Sequence, residues 1–340
     1  MSTVPARRRR ATIHDVAVEA GVSRGTVSRV VNDEPYVSEQ ARIATLAAIE
    51  KVGYVPNNAA RNLVMQRSQA VGLIVHEPHS LFLEDPNIGG ILLGANTALS
   101  RADYQMVCLI IDTERDNDRV ARYLSGGFVD GAIIVSARQN DPITRIVERL
   151  GLPSVFVGHP PDLRQLPFVG IDNRSSARAI TERLIGTGRK RIGMIAAALD
   201  RDSGADRLAG FRDALGSRFD PALVAHVPLY AFSAGVDGMR RLLEREPDLD
   251  GVFAASDAVA AGALEALRQA GRSVPGDVGV VGFDDSAWAQ RCDPPLSTVH
   301  QPAAGLGEAA AESVLGQLRG EEPDLGGILL DTPIVWRASA

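Results

Sequence analysis

Residues Thr12 to Val31 read TIHDVAVEAGVSRGTVSRVV, and this stretch predicts two short helices joined by a tight turn. Thr12 and Asp15 have the spacing of a capping box, which begins the first helix. Gly21 suits the position after a helix end, where φ is often positive, and Ser23 is a good cap for the second helix. Because helices this short are unstable alone in water, they must pack on a neighbouring element.

The predicted second helix has an apolar face and a polar face. Val27, Val30 and Val31 form the apolar face. The opposite face has small or hydrogen-bonding residues, namely Arg24, Gly25, Thr26, Ser28 and Arg29. A compact helix-turn-helix of this kind places its second helix in the DNA major groove. An ordinary helical hairpin is the alternative that this stretch alone leaves open.

The segment after Val31 helps to decide between a DNA-binding helix-turn-helix and an ordinary helical hairpin. Ser38 is the predicted cap of a third helix, which ends at Gly53 and has an apolar face of Ile43, Leu46, Ile49 and Val52. Two motifs then stand out: VSRGTVSRVVND at residues 22–33 and GYVPNNAARNL at residues 53–63. At this separation the pair resembles the LacI/GalR family of bacterial transcriptional regulators, and the resemblance continues through the rest of the chain.

The resemblance implies a helix-turn-helix DNA-binding domain over residues 1–55 and a hinge helix with linker over residues 56–69. The hinge helix is expected to fold only when two subunits meet on DNA, with Leu63 as an apolar wedge in the minor groove. A leucine in a hydrophobic core is the alternative for that position. The expected DNA-binding residues are Thr12, Ser23, Arg24, Gly25, Thr26, Ser28, Arg29, Asn32, Tyr54, Asn57, Ala60, Arg61 and Leu63.

The charge distribution agrees with a DNA-binding head. The 340-residue chain has a net charge of −6, which by itself argues against nucleic acid. Residues 1–68, however, contain ten Lys or Arg against six Asp or Glu, a net +4, and the remainder carries −10. A basic head on an acidic body is typical of a DNA-binding module fused to a domain with another role. The length suits two or three domains.

The compartment is predicted to be the cytoplasm, with nucleoid association when DNA is bound. No apolar stretch is long enough for a membrane span. The run Arg7 to Arg10 is not followed by the apolar segment of a signal peptide, and it fits a phosphate-binding arm better. Cys108 and Cys292 are far apart without metal spacing, which favours free thiols in a reducing compartment.

From Ala70 onward, short apolar runs alternate with helical segments, which predicts parallel α/β sheets covered on both faces. About 270 residues are too many for one such sheet, so we expect two doubly wound lobes. The predicted strands are Ala70–His76, Tyr104–Ile111, Gly131–Ser136, Pro153–Val157, Phe168–Ile171, Arg191–Ala196, Val252–Ala255 and Val278–Phe283. The predicted helices are Ile88–Arg101, Ser175–Thr187, Ala205–Leu215, Ser233–Arg245, Ser256–Ala270 and Ala303–Leu318.

The resemblance implies that residues 70–340 adopt the periplasmic-binding-protein type I fold, with three crossovers and a ligand cleft between the lobes. Lobe 1 is expected to comprise about residues 70–167 and 301–330. Lobe 2 is expected to comprise about residues 168–300 and 331–340. This arrangement agrees with ligand binding at the carboxyl ends of parallel strands.

The effector residues are carried over from the resemblance. Arg207 matches the family arginine that grips the effector, and Asp284 matches the aspartate that accepts hydrogen bonds from its hydroxyls. Asp284 also ends a predicted strand at the ligand-binding edge, although an ordinary salt bridge is the alternative. The remaining candidates are Phe82, Leu83, Ser256 and Trp288. Gly158 replaces an aspartate that relatives often have, and Ser256 an asparagine, which weakens the transfer of a specific sugar.

Enzyme motifs are weak or missing. Gly21 to Gly25 match G-x-S-x-G, but that nucleophile elbow needs a strand before the serine, whereas a helix is predicted there. The sequence lacks a P-loop, a dinucleotide-binding glycine motif and a zinc-protease motif. The six histidines show no metal spacing. We therefore expect no enzymatic activity, no cofactor and no metal.

The predicted function is a homodimeric transcriptional repressor of carbohydrate-utilisation genes. It is expected to bind a palindromic operator and to respond to a sugar or sugar derivative between the lobes, without a membrane partner. A nucleobase or another metabolite as effector, and co-repression or activation as the response, are alternatives. A solute-binding protein is disfavoured by the DNA-binding head. No C-terminal heptads follow the last helix, so a dimer is favoured over a tetramer.

Overall fold

The computed structural model describes residues 11–32, 34–54, 67–159 and 166–340. Its contacts divide the chain into two units, Met1–Ser68 and Gln69–Ala340. The division agrees with the expected separation of a head from a larger α/β domain. None of the helices in these ranges combines the length and the apolar composition that crossing a bilayer requires.

The head contains α1 (Ile13–Ala20), α2 (Arg24–Val31) and α3 (Glu39–Val52). Thr12 and Asp15 form the predicted capping box, and Gly21 and Gly53 end their helices with φ values of 67° and 65°. Val16, Ala17, Val27 and Ala48 form the centre of a small core. The buried face of α3 differs from the predicted one: Thr45 and Ala48 are buried, whereas Ile43 and Leu46 are exposed.

The α/β unit contains twelve strands and ten α-helices within its described residues. In chain order these are β1 (Ala70–His76), α4 (His79–Glu84), α5 (Pro86–Arg101), β2 (Gln105–Ile111), α6 (Glu114–Ser125), β3 (Gly131–Val135), α7 (Pro142–Leu150), β4 (Ser154–Val157), β5 (Phe168–Gly170), α8 (Asn173–Gly186), β6 (Ile192–Ala197), α9 (Asp202–Leu215), β7 (Val224–Val227), α10 (Phe232–Arg245), β8 (Gly251–Ala254), α11 (Asp257–Gln269), β9 (Gly279–Val281), α12 (Ala287–Arg291), β10 (Thr298–Val299), α13 (Ala303–Leu318), β11 (Ile328–Leu329) and β12 (Ile334–Val335).

Lobe 1 is built on a six-stranded sheet in the order β11-β5-β4-β3-β1-β2. All of its pairings are parallel. β1 and β3 are buried along nearly their whole length, as expected for parallel strands covered by helices on both faces. α5 and α13 pack closely together because Gly94 and Gly307 leave out side chains that would collide with the facing backbone.

Lobe 2 is built on the parallel sheet β7-β6-β8-β9, next to the antiparallel pair β10-β12. The chain passes between the lobes three times, after β5, after β10 and after β11, which confirms the three expected crossovers. The expected lobe boundary at residue 168 is too early. β5 pairs with β4 in register Phe156↔Phe168 and therefore belongs to lobe 1, so the first crossover follows Gly170.

Candidate functional site

The outer face of α2 carries the predicted DNA-reading residues. Val27 and Val30 are buried against the head core, which turns Arg24, Gly25 and Arg29 outward to solvent. Thr26 and Ser28 are partly exposed beside them. The helix therefore presents two guanidinium groups and two hydroxyl groups on one accessible surface, as a helix that reads base edges requires.

Four other predicted DNA-binding residues make contacts within the head. The Thr12 hydroxyl donates to Asp15 Oδ2 at 2.7 Å, and Ser23 Oγ accepts from the Thr26 amide at 3.1 Å, so both residues fix helix starts. Tyr54 is partly buried against the head core. Asn32 Nδ2 lies 3.5 Å from Ser28 Oγ. The hinge candidates Asn57, Ala60, Arg61 and Leu63 lie outside the described residues.

Gly25 has no packing role inside the head. A Cβ placed there would meet nothing closer than Ser23 Oγ, at 3.6 Å. A glycine inside a helix costs about 1 kcal/mol relative to alanine. Gly25 is also exposed, so a side chain added there would project from the outer face of α2.

A polar cavity of about 100 Å³ lies between the two lobes. Its walls come from the carboxyl ends of strands in both sheets, the place where ligands bind in parallel α/β folds. Arg207 and Asp284, the two charged residues predicted to bind the effector, both line it. Gly158, Asn173, Tyr230 and Gln301 are further lining residues.

Arg207 is held rigidly in the cavity wall. Its Nε donates to Asn173 Oδ1 at 2.9 Å, its Nη1 to the Ala255 carbonyl at 2.6 Å, and its Nη2 to Gln301 Oε1 at 3.1 Å. The guanidinium carbon lies 3.7 Å from the centroid of the Phe283 ring. Three hydrogen bonds use three of its five N–H groups, so the planar fork is oriented and still has donors for a ligand.

Asp284 lies beside Arg207 with one oxygen unused. Asp284 Oδ1 is buried and has no hydrogen-bond partner within the described part of the chain. Burial raises the pKa of Asp284 well above its ordinary value, although the charge of Arg207 opposes the rise. Its φ of 113° is rare for a residue with a side chain. Strained, buried and unpartnered polar groups are typical of functional sites.

Asp85 adds a third titratable group to the cavity. Its carboxylate caps α5 by accepting from the Asn87 amide at 2.9 Å. Burial raises the pKa of Asp85 to about 6, against that hydrogen bond, and the nearby Glu77 carboxylate adds to the rise.

Glu77 and Arg201 form a buried ion pair in the same cavity wall. Glu77 belongs to lobe 1 and Arg201 to lobe 2, and their side chains are 1% and 4% exposed. Two parallel hydrogen bonds join the guanidinium to the carboxylate, one of them Arg201 Nη2 to Glu77 Oε2 at 2.7 Å. The pair therefore bridges the two lobes at the site of the predicted effector.

Four predicted effector residues do not line this cavity. Phe82 is packed against the large core, and Leu83 is 83% exposed. Ser256 caps α11 by accepting from the Val259 amide at 3.3 Å. Trp288 lines a separate groove of about 790 Å³ and stacks on Phe232 with ring centroids 5.8 Å apart. Trp288, predicted as an effector residue, therefore lies outside the cavity that contains Arg207 and Asp284.

The sequence-based search missed Glu77, Asp85 and Arg201. A usable signal existed, because Glu77 directly follows the apolar run of β1, and Arg201 comes four residues after β6. Charged residues just after buried parallel strands lie at the ligand-binding edge of the sheet. The partnership of Glu77 with Arg201, 124 positions apart, has no sequence signal.

Comparisons with known proteins agree with both halves of this description. Residues 12–57 match the sequence model of bacterial regulatory proteins, lacI family. Residues 181–340 match that of a periplasmic binding protein-like domain. The HTH-type transcriptional regulator CelR of Thermobifida fusca is 41% identical over 338 residues, which cover 98% of this chain and 99% of CelR. The HTH-type transcriptional regulator RegA of Clostridium saccharobutylicum is 33% identical, with 96% and 98% covered.

Among solved structures, the chain is similar to a transcriptional regulator CelR-cellobiose complex. The TM-score is 0.77 at 38% identity, with 97% of this chain and 100% of the other covered. The relatives match over nearly their whole length. The exposed helix-turn-helix face and the polar cavity between two parallel sheets agree with that similarity. The chain belongs to the lacI family of bacterial regulatory proteins and is a DNA-binding transcriptional regulator, not an enzyme.

Proposed function

We propose that the protein is a homodimeric repressor that binds a palindromic operator and is switched by a neutral saccharide in the cavity between its lobes. Two copies of the head present two α2 helices to successive major grooves, which requires a two-fold operator. Arg24, Arg29, Thr26 and Ser28 supply the base and phosphate contacts. As a regulator of this kind, it acts in the cytoplasm at its operator.

One observation carries the assignment of the effector class. Asp284 Oδ1 is a buried acceptor without a hydrogen-bond partner among the described residues, and Arg207, whose Nη1 lies 3.4 Å away, is a rigid donor beside it. A sugar hydroxyl both donates and accepts, so adjacent hydroxyl groups satisfy both residues at once. Hydrogen bonds to charged groups are among the stronger ones, and a ligand without matching hydroxyls leaves these groups unpaired.

The charge of the cavity favours a neutral ligand over a phosphorylated one. Among the described residues, the carboxyl groups of Glu77, Asp85, Asp202 and Asp284 line it, together with the guanidinium groups of Arg201 and Arg207. Both guanidinium groups already face a carboxylate. Within this described lining an added phosphate finds no surplus positive charge, so we expect sugar phosphates and sugar acids to be excluded.

The similarity to the CelR-cellobiose complex makes a glucose disaccharide the first ligand to test. The cavity of about 100 Å³ is smaller than the about 300–1,000 Å³ of usual ligand pockets. A disaccharide therefore requires the lobes to separate or the side chains to rearrange. Such a requirement is what couples ligand binding to a change of shape.

The test is calorimetric titration of the full-length protein with cellobiose, glucose and glucose 6-phosphate, followed by the same sugars in an operator-binding assay. The operator comes from selection on random DNA. We expect two-fold symmetric sites, binding of a neutral sugar, and a change in operator affinity when it binds. Asymmetric sites, or tight binding of glucose 6-phosphate with no response to neutral sugars, would contradict the proposal.

A further inference from the structure

Three consecutive residues of lobe 2, Asp200, Arg201 and Asp202, each contact a different segment of lobe 1. Arg201 pairs with Glu77, which follows β1. Asp200 contacts Arg138 and Gln139 after β3, and Asp202 contacts His159 after β4. We call residues 200–202 the clasp. It meets the carboxyl ends of three neighbouring strands of the lobe 1 sheet, which line the cavity.

The contacts of the clasp differ in burial. The pair of Glu77 and Arg201 is almost completely buried. Asp200 Oδ2 accepts from Arg138 Nη1 at 3.1 Å, but these side chains are 45% and 34% exposed. A buried pair that loses one partner leaves an unsolvated charge, whereas an exposed pair contributes little. The buried pair is therefore the contact on which closure of the lobes depends.

Backbone amides on lobe 1 complete the clasp. The Gln139 amide donates to the Asp200 carbonyl at 2.9 Å, and the His159 amide donates to Asp202 Oδ2 at 2.5 Å. Gly158 has no side chain, and a Cβ at this position would lie 3.0 Å from Asp202 Oδ2. The glycine at position 158, where relatives often have an aspartate, therefore leaves room for the Asp202 carboxylate of the opposite lobe.

The local chain shows that Arg201 serves the contact between the lobes and not its own helix. It occupies the N-cap position of α9, where serine, threonine, aspartate and asparagine are preferred, and no side chain caps that helix. Its Nε has no hydrogen-bond partner among the described residues, and its two Nη atoms reach Glu77 instead. Arg201 therefore contributes to the contact between the lobes and not to the start of α9.

We propose that Glu77 and Arg201 are positioning residues that hold the two lobes closed around the effector cavity, and that the effector changes this closure by acting on the same helix. The inference rests on the proposed function only for the nature of the effector. Asp202 of the clasp and Arg207 lie in α9 within less than two helical turns. A ligand that moves Arg207 and with it α9 therefore also moves Asp202, the first residue of the helix, and Arg201 at its N-cap position.

The first test needs no ligand and uses amide hydrogen exchange of the full-length protein. Glu77→Gln keeps the side-chain shape but removes the charge, so closure leaves Arg201 buried and unpaired. We expect the Gln139 and His159 amides to exchange about ten-fold faster, in the lower part of the 5–150-fold range usual for coupled sites. Amides of the sheet interiors, such as Leu73 and Ile195, should be unchanged.

The matched control is Arg138→Ala, which removes the exposed contact to the same clasp and should leave both reporter amides as in the wild type. Glu77→Asp is the second variant. It keeps the charge balanced, so the fold is retained, but its shorter side chain weakens the bidentate pair, and we expect an intermediate rate.

Three results would overturn the inference: wild-type exchange in both Glu77 variants, an equal effect of Arg138→Ala, or faster exchange throughout both sheets. The last result would make the pair a general stabilising contact.

A second readout is the affinity for cellobiose, which we expect to change about ten-fold in Glu77→Gln and not in Arg138→Ala. If cellobiose does not bind the wild type, the proposed effector is wrong, while the exchange result still decides the clasp.

Discussion

Asp284 Oδ1 lies 3.4 Å from Arg207 Nη1 and yet has no hydrogen-bond partner within the described residues. The two groups attract each other as charges, but the guanidinium hydrogens are directed to Asn173, Ala255 and Gln301. The fold therefore keeps Asp284 Oδ1 buried in the cavity wall without a hydrogen bond, which costs the free energy of its desolvation. A ligand hydroxyl that donates to this oxygen recovers that cost, which explains how a small neutral molecule gains affinity here.

The first prediction concerns this oxygen. Asp284→Asn keeps the size of the side chain but replaces the carboxyl group, and a buried polar group left without its hydrogen bond costs about 1–3 kcal/mol. We therefore expect an affinity loss of about 10–100-fold for the saccharide effector, with operator binding by the ligand-free protein unchanged. Calorimetry and fluorescence anisotropy on an operator duplex measure the two quantities.

The neighbouring Asp285→Asn is the matched control for that substitution. Asp285 accepts from Arg337 Nη2 at 2.6 Å and does not line the cavity. Effector affinity should remain at the wild-type value even if stability falls. An equal loss in both variants would mean that local damage, not the Asp284 oxygen, causes the effect.

The second prediction is a pH dependence of stability from Asp85. Burial raises the pKa of Asp85 from 3.8 to about 6, so between these values the folded state binds a proton that the unfolded state has lost. Stability should therefore fall as pH rises through this window. Asp85→Asn keeps an equally good helix cap and removes the titration.

The measurement for Asp85 is chemical denaturation of wild type and Asp85→Asn at several pH values. At pH 7 the variant should be more stable by about 1–3 kcal/mol, and the difference should shrink towards zero near pH 4. A variant that is less stable than the wild type at pH 7 would show that the ionised carboxylate is stabilised in the fold, against this prediction.

The third prediction is that Arg24 reads a guanine in each half-site. Its exposed guanidinium matches the O6 and N7 acceptors of guanine, a contact that discriminates by about 1–3 kcal/mol. Selection from random DNA with Arg24→Ala should relax one symmetric pair of positions. Lys51→Ala, which removes a charge paired with Glu19 at 2.5 Å, should leave the base preference unchanged. Unaltered selection by Arg24→Ala would assign that base to another residue.

The fourth prediction separates stability from DNA binding at Gly25. Gly25→Ala should raise the stability of the head by up to about 1 kcal/mol, because alanine favours the helix and meets no atom closer than 3.6 Å. Operator affinity should nevertheless fall, since the added methyl group projects from the exposed face. Thermal unfolding and anisotropy provide the two values, and unchanged operator affinity would mean that the glycine is not at the DNA surface.

The sequence by itself determined the order of the elements and the identity of the family. Capping residues, apolar periodicity and turn glycines act over a few positions, so α1, α2 and the main strands of both sheets were predicted to within about two residues. Several elements were not among the predicted ones, including α4, α6, α7 and β7. α4 and β7 are too short to establish a periodicity, whereas α6 and α7 have a clear amphipathic pattern that the prediction did not use. Arg207 and Asp284 were identified by the resemblance, and the structure brings them together.

Only the tertiary structure decided which side chains share the cavity. Trp288 and Phe82 have the chemistry of a sugar platform, but packing directs them elsewhere, whereas Glu77 and Arg201 meet across the lobes from positions far apart in the chain. Their pairing depends on how two separate sheets close on each other. Local propensities do not encode that geometry, because they act over a few neighbouring positions, whereas Glu77 and Arg201 are 124 positions apart and meet only when the two lobes come together.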